Sequence, residues 1–260
     1  MEIRLDGRTA LITGGSKGLG LAMAEKFATS GAEVAILARG AEALAEAERA
    51  IAKTARTKVR AFSCDVSKAA ELEKTWRAVM GEFGKVDILV NNAGTSQTGK
   101  FEEITDAVWQ ADFDLKVFAA IRLARFALPQ MKERRWGRIV NVLNIGAKAP
   151  RPGSAPTVVS RAAGMALTKV LAGEGAPFNV LVNAMLVGLF ATDQHVQRFK
   201  RQGGNVPIDE HFREMGTRIP VGRIGDPEEF ANLACLLVSD AGSYVTGTAI
   251  NVDGGMSPVL

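Results

Sequence analysis

Short runs of apolar, mostly β-branched residues recur along the chain, and longer stretches separate them in which apolar positions return every three or four residues. TALIT (9–13), EVAILA (33–38), KVRAFS (58–63), VDILV (86–90), RIVNVL (138–143), NVLVNAM (179–185) and AINV (249–252) read as seven strands. Nearly continuous apolar character marks strands covered on both faces. Between them, alanine-rich stretches such as GLAMAEKFATSG (20–31) and EALAEAERAIAKTA (42–55) read as helices. This alternation predicts an α/β chain: a doubly wound Rossmann-type fold, with a seven-stranded parallel sheet and helices on both faces. One domain spans 1–260. The long interval 188–223 has no strand pattern; glycines, a proline and charges alternate there with Phe190, Phe212 and Met215, which predicts either a mobile lid over a site or a surface excursion.

The first strand runs into TGGSKGLG (13–20), which opens directly into a helix. Gly14, Gly18 and Gly20 permit a tight turn and close approach of a pyrophosphate, and Ser16, Lys17 and Leu19 complete the loop. Free N–H groups at the helix start would meet the negative charge. With the strand–loop–helix order around it, the spacing resembles the phosphate loop of the short-chain dehydrogenase/reductase family. Further motifs of that family follow in order. CDVS carries Asp65 and Val66, where the family holds the adenine; NNAG carries Asn92, Ala93 and Gly94, which line the cofactor. LVGLFATD resembles the Pro-Gly segment, with Val187 in place of proline, Gly188 kept, and Thr192 placed to meet the carboxamide. SDAGSYVTGTAINVDGG resembles the closing strand.

The second strand ends in ILARG, with Ala38 where an acid would hold a ribose 2′-hydroxyl, and Arg39 next to it. Arg39 pairs readily with a 2′-phosphate and Lys17 adds a second cation, so NADP(H) is the expected cofactor.

In this family a tyrosine acts as acid and base, a lysine four residues later binds the nicotinamide ribose, a serine orients the carbonyl and an asparagine holds a water. On the resemblance, these positions carry Thr157, Arg161, Asn144 and Lys116. Tyr244 is the chain's single tyrosine and lies in the closing motif, so no shift of register supplies a phenol. A threonine hydroxyl is far less acidic than a phenol of pKa about 10. Arg161 can clamp ribose hydroxyls but cannot relay a proton. Lys116, beside a second cation in a partly dry site, would have its pKa pushed down and could donate a proton; alternatively it pairs with a nearby acid such as Asp114. His195 and His211, in the 188–223 interval, are either alternative donors or exposed lid residues, and Lys148 and Arg151 either meet an acidic substrate or are solvated.

Composition narrows the setting. With 260 residues, 47% hydrophobic and 23% charged, the chain can bury a full core, and no apolar run approaches the roughly 18 residues of a membrane span. No leader pattern precedes the first strand, so a cytoplasmic protein without a membrane partner is expected. Cys64 and Cys235 lack metal spacing and are expected reduced and buried; no metal site is expected. The net charge of +4 suits an anionic cofactor. Nucleic-acid binding would rest only on this charge and on KERRWGR (132–138), which reads as a solvated helix end. Two function classes remain: an oxidoreductase acting on a small carbonyl or alcohol substrate by a non-standard mechanism, and an NADP(H)-binding sensor or scaffold without redox chemistry. The helix after Thr157 is apolar around much of its circumference, which predicts a partner surface; the resemblance implies that this helix and the long one before it, around Leu115 to Met131, pair across a two-fold axis, giving a dimer at minimum and a homotetramer.

Overall fold

Alternation along each strand sorts its side chains into two cores, one on each face of the sheet. The computed structural model describes residues 3–260. In chain order its main elements are β1 (Thr9–Thr13), α1 (Gly18–Thr29), β2 (Glu33–Ala38), α2 (Ala41–Ala52), β3 (Val59–Ser63), α3 (Ala69–Phe83), β4 (Ile88–Asn91), β5 (Thr98–Gly99), α4 (Asp106–Phe113), a π-helical turn (Asp114–Phe118), α5 (Ala119–Glu133), β6 (Gly137–Asn144), β7 (Ala155–Pro156), α6 (Thr157–Gly175), β8 (Val180–Val187), α7 (Asp193–Arg201), α8 (Ile208–Gly216), α9 (Pro227–Val238) and β9 (Ala249–Val252). Seven strands form one sheet in the order β3–β2–β1–β4–β6–β8–β9, every pairing parallel. These are the seven strands that the apolar runs predict. The two-residue strands β5 and β7 pair antiparallel as a separate ribbon and are too short to leave a periodic signal.

Ala10, Ile12, Val34, Ile36, Ile88 and Val90 face a core closed by α1, α2 and α9, while Leu11, Ala35, Leu37 and Leu89 face one closed by α3, α5 and α6. The strand order reverses between β1 and β4. There the crossovers leave in opposite directions, and a crevice opens beyond the carboxyl ends of the strands. The 188–223 interval carries α7 and α8, where Phe199 stacks on His211 with ring centroids 4.1 Å apart. Among the described residues no helix is long and apolar enough to cross a membrane.

The basic run before β6 is not all solvated. Lys132 lies in the last turn of α5, but the Arg138 side chain is 1% exposed: its Nη1 donates to the carbonyls of Gly137 and Asn179, and its guanidinium lies over Trp136. As a strand residue it follows the pleat inward, a direction that a reading of the segment as helix end misses.

Candidate active site

The glycine loop is held from below. Asn92 Nδ2 donates to the carbonyls of Thr13 (2.9 Å) and Gly14 (3.2 Å), and the Thr13 hydroxyl accepts from the N–H groups of Asn92 and Ala93. Gly14 adopts φ +67, and a Cβ on Gly20 would collide with its carbonyl oxygen, so the loop folds tightly against α1. Leu19 packs on the core from the first turn, with Ser16 half-buried in the loop. Lys17 occupies the N-cap position without a side-chain cap, and no acid lies in the first turn of α1. The helix start therefore presents unclaimed N–H groups to the crevice, the arrangement that suits a phosphate. A Cβ on Gly18 would meet Thr192 at 3.5 Å, which puts Thr192 over this loop, and the Gly188 N–H donates to Val252.

Lys17 and Arg39 are exposed, and neither joins an ion pair among the described residues. Burial acts to raise the Asp65 pKa, but hydrogen bonds from the Ser67 hydroxyl and N–H and the charges of Arg39 and Lys68 outweigh it and hold the carboxyl below its ordinary value. Val66 is buried in the second core beside it.

At the inner end of the crevice four residues from three elements converge. Thr157 opens α6, Asn144 ends β6, Lys116 sits in the π turn, and Arg161 lies one turn into α6. The side chain of Lys116 is 1% exposed; its Nζ pairs with Asp112 and donates to Thr157 Oγ1 at 2.9 Å. Asp112 also accepts from Ser160 Oγ at 2.6 Å. Thr157 Oγ1 takes a second hydrogen bond from the Gln97 N–H at 2.8 Å, and no protein acceptor takes its own proton among the described residues. Arg161 Nη1 donates to the Val142 carbonyl at 2.5 Å, and a Cβ on Gly94 would stand 2.5 Å from Nη2, so the guanidinium packs against Gly94 with Nη2 nearest.

Desolvation pushes the Lys116 pKa down to about 8; the Arg161 charge acts in the same direction and Asp112 against it. Burial likewise lowers Arg161 to about 10. Arg161 Nε and Asn144 Oδ1 are buried without a partner among the described residues. Orphaned buried polar atoms at the inner end of a glycine-lined crevice fit a polar ligand that completes them.

Asp112, Ser160 and Gln97 belong to this cluster and carry no motif in the sequence. Asp112 was nevertheless findable, because residues four apart share a helix face. Asp114, the acid expected beside Lys116, instead lies 3.6 Å from Arg122 and accepts from Gln110. His211 is stacked on Phe199, and burial first, then Arg198 and His211, lowers the His195 pKa. Lys148 donates to the Ala249 carbonyl, while Arg151 is exposed. Both cysteines are free and buried.

A family model described as enoyl-(acyl carrier protein) reductase matches residues 14–257. The chain is 32% identical over 256 residues to 3-oxoacyl-[acyl-carrier-protein] reductase FabG of Aquifex aeolicus, covering 98% of this chain and all of the relative. It is 34% identical over 254 residues to D-beta-hydroxybutyrate dehydrogenase of Cupriavidus necator, covering 96% and 98%. The structure of L-sorbose reductase from Gluconobacter frateurii, complexed with NADPH and L-sorbose, superposes over the whole of both chains with a TM-score of 0.94 at 35% identity.

Proposed function

The chain belongs to the short-chain dehydrogenase/reductase family, and we propose that it is an NADP(H)-dependent oxidoreductase that reduces a small carbonyl compound, or oxidises the matching alcohol, without the family's tyrosine–lysine pair. The observation that carries this reading is the pair of atoms that are buried and without a partner among the described residues, Arg161 Nε, on the guanidinium packed against Gly94, and Asn144 Oδ1, near Gly146, in a crevice whose other end offers the uncapped start of α1 with Lys17 and Arg39. When bound, NADP(H) supplies or accepts the hydride.

The chain's own residues then divide the remaining tasks. The α1 N–H groups and Ser16 hold the pyrophosphate, Lys17 and Arg39 the 2′-phosphate, Asp65 and Val66 the adenine. Asn92, Ala93 and Gly94 form the floor, Arg161 donates to ribose hydroxyls, and Gly188 and Thr192 bound the nicotinamide side. Asn144 and Thr157 orient the substrate oxygen. Lys116 is the source of the proton, reached through the Thr157 hydroxyl that it already touches. Residues 188–223, with α7 and α8, act as a lid, and faces of α5 and α6 join copies of the chain into a homotetramer.

A second reading, an NADP(H)-binding sensor or scaffold, draws on the burial of Thr157, which is 3% exposed and tied to Gln97. The deciding experiment titrates the purified protein with NADPH and then offers a ketose, a 3-oxoacyl thioester and a 3-oxo acid, following oxidation of the reduced cofactor. Turnover of any of them supports the oxidoreductase; tight binding with no turnover across a wider carbonyl panel supports the sensor; absence of binding overturns both.

A further inference from the structure

Lys116 and Arg161 line one partly open pocket of about 20 Å³, roughly the room one water needs, together with Thr13, Asn91, Ala93 and Asn141. The charged groups facing Lys116 are Asp112 from α4 and Arg161 from α6; Thr157 from α6 adds a neutral hydroxyl. With Lys116 protonated the cluster holds two cations against one carboxylate, a net positive charge buried under the Ala93–Gly94 floor. Arg161 cannot discharge it, since a guanidinium keeps its proton. Lys116 can.

On the reading above, that floor carries a nicotinamide, neutral when reduced and cationic when oxidised. We infer that Lys116 is a redox-linked proton site: it keeps its proton over the neutral ring and releases it through Thr157 as the ring becomes cationic, so that the chain binds NADPH in preference to NADP⁺ and runs as a reductase. In carbonyl reduction the hydride goes to the carbonyl carbon and takes the electron pair with it. The substrate oxygen takes the Thr157 hydroxyl proton, Thr157 Oγ1 takes one from Lys116 Nζ, and Lys116 is left as a neutral amine. One hydride and one proton have been added to the C=O group. With Lys116 neutral, the charges of Arg161 and Asp112 nearly cancel, so the cluster would no longer oppose a cationic nicotinamide. Solvent protonates Lys116 again when the oxidised cofactor leaves, and that protonation helps to expel it.

Linkage makes the coupling measurable without turnover. Loss of one buried unit charge close to the ring, at an effective dielectric near 20, would change affinity by on the order of tenfold or more. NADPH should therefore bind about tenfold more tightly than NADP⁺ at neutral pH, with the gap closing as pH rises past about 8. Mixing the protein with NADP⁺ in weakly buffered solution near that pH should release protons, NADPH should release none, and Lys116→Met should abolish the difference. Equal proton release with both cofactors, or release that survives in Lys116→Met, overturns the inference while leaving NADP(H) binding intact. If neither cofactor binds, the proposed function itself falls. The wild-type measurement stands alone should Lys116→Met fail to fold.

Discussion

The Lys116 ammonium donates to the Thr157 hydroxyl across 2.9 Å and thereby ties the π turn between α4 and α5 to the first residue of α6. Thr157 is also bound to Gln97 at the root of the β5–β7 ribbon, so three separate chain segments meet on one oxygen. A π turn inserts an extra residue into an otherwise continuous helical rod, and Lys116 stands in that turn.

Removing Asp112 should damage this junction more than removing Lys116. Asp112 is 4% exposed and takes hydrogen bonds from Lys116 and Ser160, so Asp112→Ala leaves a buried ammonium without a counter-charge. A loss of about 3–5 kcal/mol is expected, and a Lys116→Met/Asp112→Ala double variant should recover most of it. Urea unfolding of wild type, Asp112→Ala, Lys116→Met and the double variant measures the cycle; a double variant no more stable than Asp112→Ala would refute the account.

The depressed Lys116 pKa has its own stability signature. In the unfolded chain the group titrates near its ordinary 10.5, in the folded chain near 8, so between these values the unfolded state binds more protons. Stability contributed by this site therefore rises with pH from about 8 to about 10.5, by on the order of 3 kcal/mol. Below pH 8 both states are protonated and the burial penalty is constant. The stability difference between wild type and Lys116→Met should change across that window, with wild type gaining. A pH-independent difference would show that Lys116 is not desolvated.

Cofactor choice should rest on the two exposed cations at the far end of the crevice. Arg39→Ala should weaken NADPH binding and leave NADH unchanged, at a cost of roughly 1.5–3 kcal/mol, or about ten- to a hundredfold, for a charge-assisted contact. Fluorescence titration with both cofactors checks it; equal losses for NADPH and NADH would mean that Arg39 serves the loop and not the phosphate.

The sheet and the phosphate loop were legible because each rests on a local signal: apolar runs for the strands, glycines at fixed offsets before a helix for the loop. Thr157, Arg161, Asn144 and Lys116 could be located through their spacing from such signals. Their hydrogen-bond partners could not, because Ser160 reaches Asp112 from another helix and Gln97 meets Thr157 through a ribbon of two residues per strand. Asp114 looked the closer partner for Lys116 by sequence distance, yet residues two apart point to different sides of a helix. Arg138 was misjudged for a related reason: charge suggests solvent, whereas the pleat of β6 turns it inward over Trp136.

Self-association should run through α6. Val159 and Val170 are 44% and 57% exposed on a helix that also leaves Ala166 exposed, while Val158, Leu171 and Ala172 are buried. Val170→Glu should shift the protein toward a smaller species by light scattering at micromolar concentration. A wild-type chain already monomeric there would remove the basis for the homotetramer.

Rebuilding the family's site should require four substitutions and not three. Thr157→Tyr, Arg161→Lys and Asn144→Ser restore the phenol, the lysine and the carbonyl-orienting hydroxyl, but they leave Lys116 paired with Asp112 at the root of residue 157, where its ammonium now donates to a threonine oxygen that the tyrosine lacks. That triple variant keeps a buried ammonium with one hydrogen bond unmade, which costs stability and places a second cation beside the restored lysine. Adding Lys116→Asn removes the surplus cation. If loss of the phenol limits turnover, the quadruple variant should reduce an accepted carbonyl about 10²–10⁴-fold faster than wild type, the usual contribution of a positioned acid, while the triple variant gains little. Single-turnover oxidation of bound NADPH separates chemistry from release. Unchanged rates in a folded quadruple variant that still binds NADPH would mean that the wild-type route through Lys116 and Thr157 is not impaired by the missing tyrosine.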